Sequence, residues 1–248
     1  LPLEEGGDFF AVLDRAVANS HPTPKALVLN FPANPTAEVV DLAFYKEAVA
    51  YAKKHDIILL SDLAYSEIFF DDNAPPPSIL QVDGAKDVAV EFTSLSKTFS
   101  MPGWRMGFAV GNERLIGALT RIKSYLDYGA FTPIQVAASA ALDSPEEVIR
   151  DIRYVYKERR DVLIDVFSRA GWDVPSPQAT MFAWGRIPPL FEGMTSLEFS
   201  TLLLQEADIA VSPGIGFGEY GDNHVRIALV ENEQRVRQAG RNLRRFME

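Results

Sequence analysis

Four short stretches carry side chains that could do chemistry together. Ser94-Leu95-Ser96-Lys97 puts two hydroxyls and an amine directly after the apolar run Asp87–Ser94. Gly103-Trp104-Arg105 adds a guanidinium eight residues beyond the lysine. Ser61-Asp62-Leu63-Ala64-Tyr65 brings a carboxylate and a phenol to the end of a second apolar run, and Asn34-Pro35-Thr36 brings an amide past a third. Alone, each has an ordinary explanation. Lysines are mostly exposed, aspartates end strands and form turns, and tyrosines pack with a wet hydroxyl. Lys97 differs in its setting, between an apolar run and Thr98, Phe99 and Met101. Partial desolvation there would favour the neutral, nucleophilic amine.

The set is more specific than its members. An amine that can form a Schiff base, a carboxylate for a ring nitrogen, a phenol and an amide for a ring oxygen, and hydroxyls with a guanidinium for a phosphate are what pyridoxal phosphate requires of a protein. Pyridoxal 5'-phosphate is therefore the expected cofactor.

The elements that must gather these groups are legible as hydrophobic patterns. Lys25–Asn30, Asp56–Asp62, Asp87–Ser94 and Arg105–Gly111 are short apolar runs, the first three with polar ends. Such runs suit strands of a sheet covered on both faces, whose ligands lie beyond the C-terminal strand ends. That draws attention to Asn30 and Asp62. Val40, Phe44, Ala48 and Ala52 recur at helical spacing, with Thr36 as the expected cap. Ser144-Pro145-Glu146-Glu147 reads as a capping box with proline at the first helical position. The helix it predicts carries Val148, Ile152, Val155, Val162 and Val166 on one stripe and ends at Gly171. Beyond it come a helix capped by Thr195 with Glu198, a strand with Val225, Ile227 and Leu229 alternating, and an amphipathic helix with Val236, Ala239, Leu243 and Phe246. If the apolar members of that strand face a core, Arg226 faces the other way.

The expected architecture is α/β. Residues 1–143 would form part of a large cofactor-binding domain, a mostly parallel sheet with helices on both faces. Residues 144–248 would form the long connecting helix and a smaller C-terminal α/β domain. The 248 residues carry a net charge of −10, which repels nucleic acid and anionic membranes. There is no cysteine, so disulfides, thiol catalysis and Cys-ligated metals are excluded, in keeping with a cytoplasmic protein. No apolar run approaches the roughly 18–20 residues needed to cross a bilayer. His21, His55 and His224 lie far apart with no carboxylates at metal spacing, so no metal site is expected. No G-x-S-x-G occurs, and Gly214-Ile215-Gly216-Phe217-Gly218 is followed by a strand where a nucleotide loop needs a helix. The arginines of the last helix, Arg235, Arg237, Arg241, Arg244 and Arg245, read as a solvated face.

The run from Ser94 to Gly107, SLSKTFSMPGWRMG, resembles the lysine motif of class I, fold type I, pyridoxal-phosphate-dependent aminotransferases. Asn34-Pro35-Thr36, Asp62 with Tyr65, and Arg226 within Asn223–Ile227 match the family's other elements in the same order. Within the family, residues 63–72, 121–138 and 211–232 are most similar to bacterial glutamate–pyruvate (alanine) aminotransferases. The resemblance implies a role for each residue. Lys97 would attach the cofactor and then carry a proton between the substrate α-carbon and the cofactor. Asp62 would pair with the pyridine nitrogen. Tyr65 and Asn34 would hydrogen-bond the phenolic oxygen. Ser94, Ser96 and Arg105 would hold the phosphate. Arg226 would clamp the substrate α-carboxylate, with Asn34 beside it.

The implied activity is amino-group transfer between an amino acid and a 2-oxo acid by a homodimer, with Tyr128 near the partner. Three other readings stay open: a C–S lyase of the same fold type, the pyridoxal-phosphate-sensing domain of a transcription regulator, and an assembly module without catalysis. The family also places a phosphate loop, a ring that stacks on the cofactor and part of the sheet ahead of the first residue here. The chain begins at Leu1, so the expectation is the C-terminal portion of a longer enzyme, inactive alone.

Overall fold

The computed structural model describes residues 7–248. Helix α1 (Phe9–Ala18) leads into strand β1 (Ala26–Asn30), helix α2 (Leu42–His55) and strand β2 (Ile58–Asp62). After a loop come strand β3 (Ala89–Ser94), the one-turn helix α3 (Leu95–Thr98) and strand β4 (Gly107–Gly111). These strands make one sheet in the order β1-β2-β3-β4. The first two pairs are parallel and β4 runs antiparallel to β3. The sheet is thus mostly parallel, as its unbroken apolar runs suggested, with helices on both faces. Its core joins Leu29, Leu59 and Ala89 to Tyr45, Ala48, Val49 and Ala52 of α2.

Helix α2 does not begin at Thr36. Residues 33–38 close a turn through Ala33 N to Glu38 O and Ala37 N to Ala33 O, with Ala37 at φ 61°. The helix waits until Asp41, whose carboxylate accepts from Phe44 N at 2.8 Å. An aspartate before the first helical residue satisfies an amide that has no intrahelical partner.

Helices α4 (Glu113–Leu126) and α5 (Thr132–Leu142) precede the long α6 (Glu146–Arg169). The capping box expected at its start is absent. Pro145 occupies the cap position and the Ser144 hydroxyl donates instead to Ala141 O at 2.6 Å, closing α5. The far end behaves as expected, with Gly171 at φ 91° directly after the C-cap Ala170. The buried line along α6 is Leu163 and Phe167, while Val148 and Val155 of the expected stripe are 40% and 41% exposed. Arginines rotate the helix. Arg153 lies 3.6 Å over the Phe69 ring and Arg160 lies 4.5 Å over the Phe70 ring, so their stems share the packed face.

Strand β5 (Phe182–Arg186), helix α7 (Ser196–Ala207), strands β6 (Ser212–Pro213) and β7 (His224–Ala228), and helix α8 (Glu233–Met247) complete the chain. Their antiparallel sheet has the order β5-β7-β6. The capping box of Thr195 with Glu198 forms in both directions. Val225, Ile227 and Leu229 are buried as the alternation requires, together with Trp172, Phe167, Phe199, Leu203 and Leu243. This second core also takes in Tyr65, Ile68 and Phe70 from the loop after β2.

Candidate active site

Parallel pairing aligns the strand ends. Asn30 is in register with Asp62, and Asp62 with Phe92, two residues before Ser94. Asn30 ties two candidate residues together. Its Oδ1 accepts from Asn34 N at 2.8 Å, and its Nδ2 donates to Asp62 O at 3.4 Å. The Asp62 carboxylate accepts from Ala64 N at 3.2 Å and so shapes the turn that carries Tyr65. An aspartate bonding an amide two residues on is a turn former in its own right.

Tyr65 sits at the centre of the cluster. It is 7% exposed, with its ring edge-on to Phe182 at 5.7 Å. Lys97 Nζ lies 5.7 Å from the centre of the same ring. Burial pushes the Tyr65 phenol above its ordinary value; nearby Arg226 pulls it down by less, while Asp62 and Tyr156 push it further up. Phenol, carboxylate and guanidinium therefore lie within electrostatic reach, although Asp62 and Arg226 belong to different sheets.

Arg226 crosses from the second sheet to the first. Its Nη1 donates to Asn34 Oδ1 at 2.8 Å and its Nη2 to Ser212 Oγ at 3.2 Å. Phe182 and Phe217 flank the guanidinium at 4.1 and 4.6 Å. Burial lowers its pKa from the usual arginine value, with Tyr65 opposing. Its Nε is buried and has no hydrogen-bond partner among the described residues.

The lysine end is built by β3 and α3. Ser94 caps α3, its Oγ accepting from Ser96 N at 3.2 Å, which leaves its own hydroxyl proton to donate. Ser96 is buried and Lys97 half-buried. The antiparallel return of β4 sets Gly107 opposite Ser94 and gives Leu95 N a bond to Met106 O, so the chain just after Arg105 runs beside Ser94. Arg105 itself is exposed, with φ 53°, and its Nη1 donates to Pro102 O at 2.9 Å.

The structure thus brings Asn34, Asp62, Tyr65, Lys97 and Arg226 into one cluster, with Ser94 and Ser96 on the turn that carries the lysine. Arg105 joins them through the backbone, its guanidinium engaged locally. Ser212, Phe182 and Phe217 were not singled out in the sequence. Phe217 lies inside the glycine-rich stretch that leads to Arg226, which is a usable signal. Phe182 reaches Arg226 only through strand pairing, which has no local signature.

The chain matches the family described as aminotransferase class I and II over residues 8–242. It is 66% identical to the aminotransferase AatC of Rhizobium meliloti over 247 residues, 100% of this chain and 61% of that protein. It is 54% identical to the glutamate-pyruvate aminotransferase AlaC of Escherichia coli, over 98% of this chain and 59% of that protein. The apo-BacF structure from Bacillus subtilis superposes with a TM-score of 0.91 at 40% identity, covering 98% of this chain and 64% of that one. The chain spans about 60% of the length of the curated relatives it matches. With the matched family covering nearly every described residue and relatives this similar, the chain belongs to the class I and II aminotransferases.

Proposed function

We propose that the protein transfers an amino group between an amino acid and a 2-oxo acid with pyridoxal phosphate, and that its substrates are of the alanine/glutamate type. The observation that carries this reading is the cluster around Tyr65, where Lys97 of α3, Asp62 of β2 and Arg226 of β7 converge. The substrate type is supported by the 54% identity to AlaC.

The donor set fits the cofactor. It offers one amine, one carboxylate, a neutral phenol, hydroxyls with a donor to spare, and a half-buried guanidinium whose buried Nε is unpartnered among the described residues. Bound pyridoxal phosphate supplies a carbon for amine attachment and a ring that draws electrons from the substrate α-carbon. Lys97 Nζ would be the nucleophile that holds it and the base for the proton at the substrate α-carbon. Asp62, with its Oδ1 on the Ala64 amide, would be the carboxylate for the ring nitrogen. Tyr65, kept neutral by burial, would donate to the ring oxygen, with Asn34 beside it. Ser94, Ser96 and Arg105 hold the phosphate; Arg105 would exchange its Pro102 contact for that anion. Arg226 receives the α-carboxylate as a fork.

We also propose that residues 1–143 form the cofactor-binding unit and residues 144–248 the long helix and small domain, and that the protein is a cytoplasmic homodimer. No helix among the described residues is long and apolar enough to cross a membrane.

The test uses the protein in its natural length with a panel of amino donors against pyruvate and 2-oxoglutarate. The expected result is transfer from glutamate or alanine that falls to background in Lys97→Ala. Unchanged transfer in Lys97→Ala would refute the assignment of the lysine. Pyruvate release from cystathionine without an added 2-oxo acid would mark a lyase instead.

A further inference from the structure

Arg226 is held more firmly than a carboxylate fork needs for its charge alone. Phe182 covers one side and is buried, whereas Phe217 lies 4.6 Å away and is 40% exposed. Phe217 is delivered by a closed loop. A Cβ on Gly214 would come within 1.9 Å of Gly221 O and 2.5 Å of His224 O, so the two ends of the loop touch through backbone that only glycine permits. A Cβ on Gly216 or Gly218 would meet nothing within 4 Å, so the backbone on either side of Phe217 is open. The ring is braced from one side by Trp184, edge-on at 6.0 Å, and Trp184 stacks on His224 at 5.1 Å.

We propose that Phe217 is a positioning residue, an aromatic cover that holds the Arg226 guanidinium edge-on for the carboxylate of a small amino or oxo acid. This rests on the reading of Arg226 as the α-carboxylate site. Rings 4.1 and 4.6 Å from the guanidinium carbon restrict how the side chain can lie, and the edge of its plane is where a carboxylate makes paired hydrogen bonds. Two hydrogen bonds, to Asn34 and Ser212, fix the rotation that the rings permit. Removing the exposed ring frees the side chain, which must then be ordered when the ligand binds. The expected cost is about three- to ten-fold in carboxylate affinity. The Phe217 ring carries no acid, base or nucleophile, so turnover at saturation is expected to stay within about two-fold.

The experiment compares Phe217→Leu and Phe217→Tyr in the natural-length holoenzyme. Calorimetric titration with propionate, a carboxylate that cannot react, is run beside steady-state kinetics. Phe217→Leu is expected to raise the propionate Kd and the amino-acid KM together, with kcat held, and Phe217→Tyr to restore both. Wild-type affinity in Phe217→Leu overturns the proposal, as does a Phe217→Tyr variant as weak as Phe217→Leu. Arg226→Lys separates the two levels of inference. If it leaves propionate binding intact, the carboxylate site itself is misassigned. If it weakens binding while Phe217→Leu does not, only the role of Phe217 falls.

Discussion

Individual side chains divide into those with a sequence signature and those without. Lys97, Ser94 and Arg105 sit in one short stretch, so their spacing was readable. The approach of Arg226 to Asn34 was not, because the two are 192 residues apart and meet only when two sheets are docked. Tyr65 marks the boundary between these cases. Its place after Asp62 was legible, but its burial depends on Phe182 and the second core. That burial carries a consequence for pH. The Tyr65 phenol is raised above its ordinary value near 10, first by burial. A raised folded-state pKa means the folded chain holds the proton more tightly than the unfolded chain. The stabilisation is complete below the unfolded value and is lost as pH climbs through the folded one. Ultraviolet difference titration of wild type against Tyr65→Phe should isolate a phenolate that ionises above the ordinary tyrosine range. Over the same alkaline range the wild-type melting temperature should fall faster than that of Tyr65→Phe. A difference component at or below the ordinary value would show that the cluster leaves the phenol in water-like surroundings.

Among elements, the helix ends show what local sequence can decide. The Thr195 and Glu198 box is self-contained within four residues, and it forms. Thr36 and Ser144 had equally suitable side chains, but each was claimed by a neighbour. The turn at 33–38 took Thr36, and the end of α5 took Ser144. A local pattern predicts a cap only where nothing else competes for the hydroxyl. Helix packing was hidden more deeply. Helices α6 and α8 cross at Gly240, where an added Cβ would lie 2.7 Å from Val166 Cβ. Gly240→Ala gains about 1 kcal/mol of helix propensity. It also inserts a methyl against a branch point that cannot swing aside, at about 1–3 kcal/mol. The net expectation is a loss of stability despite the better helix former. Val166→Gly removes both the Cβ and the Cγ2 that the added methyl would meet, so the double variant should be more stable than the two single effects summed. Additive denaturation midpoints across this cycle would mean the helices separate freely and the close crossing carries no constraint.

At the scale of the molecule, the sequence divided the chain by hydrophobic pattern, with a change near residue 144. The packing crosses that line. Tyr65, Ile68 and Phe70 lie among Leu163, Phe167 and Trp172 in the second core. The segment is also stitched by backbone bonds, Phe70 N to Gln178 O and Thr180 N to Ile68 O. Arg153 adds a bond to Glu67 O at 3.2 Å and an ion pair with Asp72 at 3.1 Å. Pattern reading missed this because residues 64–70 have no strand or helix period; they form turns and a single bridge to Ala179. The tie matters for the candidate site, since Lys97 sits on α3 directly after the first sheet and Arg226 lies in the second, with Tyr65 between them. It follows that the two cores should unfold together, because separating them exposes Tyr65, Ile68 and Phe70. In a Trp104→Phe background, Trp172 in the second core and Trp184 on its sheet supply the fluorescence, and far-ultraviolet circular dichroism reports on both cores. In urea the two signals should trace one transition for the otherwise wild-type chain. Phe70→Ala removes a ring that is 5% exposed and should cost about 3–5 kcal/mol. Because the loss falls on the tie, the fluorescence and dichroism curves of that variant should part. If they shift together and still coincide, the cores are coupled elsewhere, and the loop after β2 merely rests on the second one.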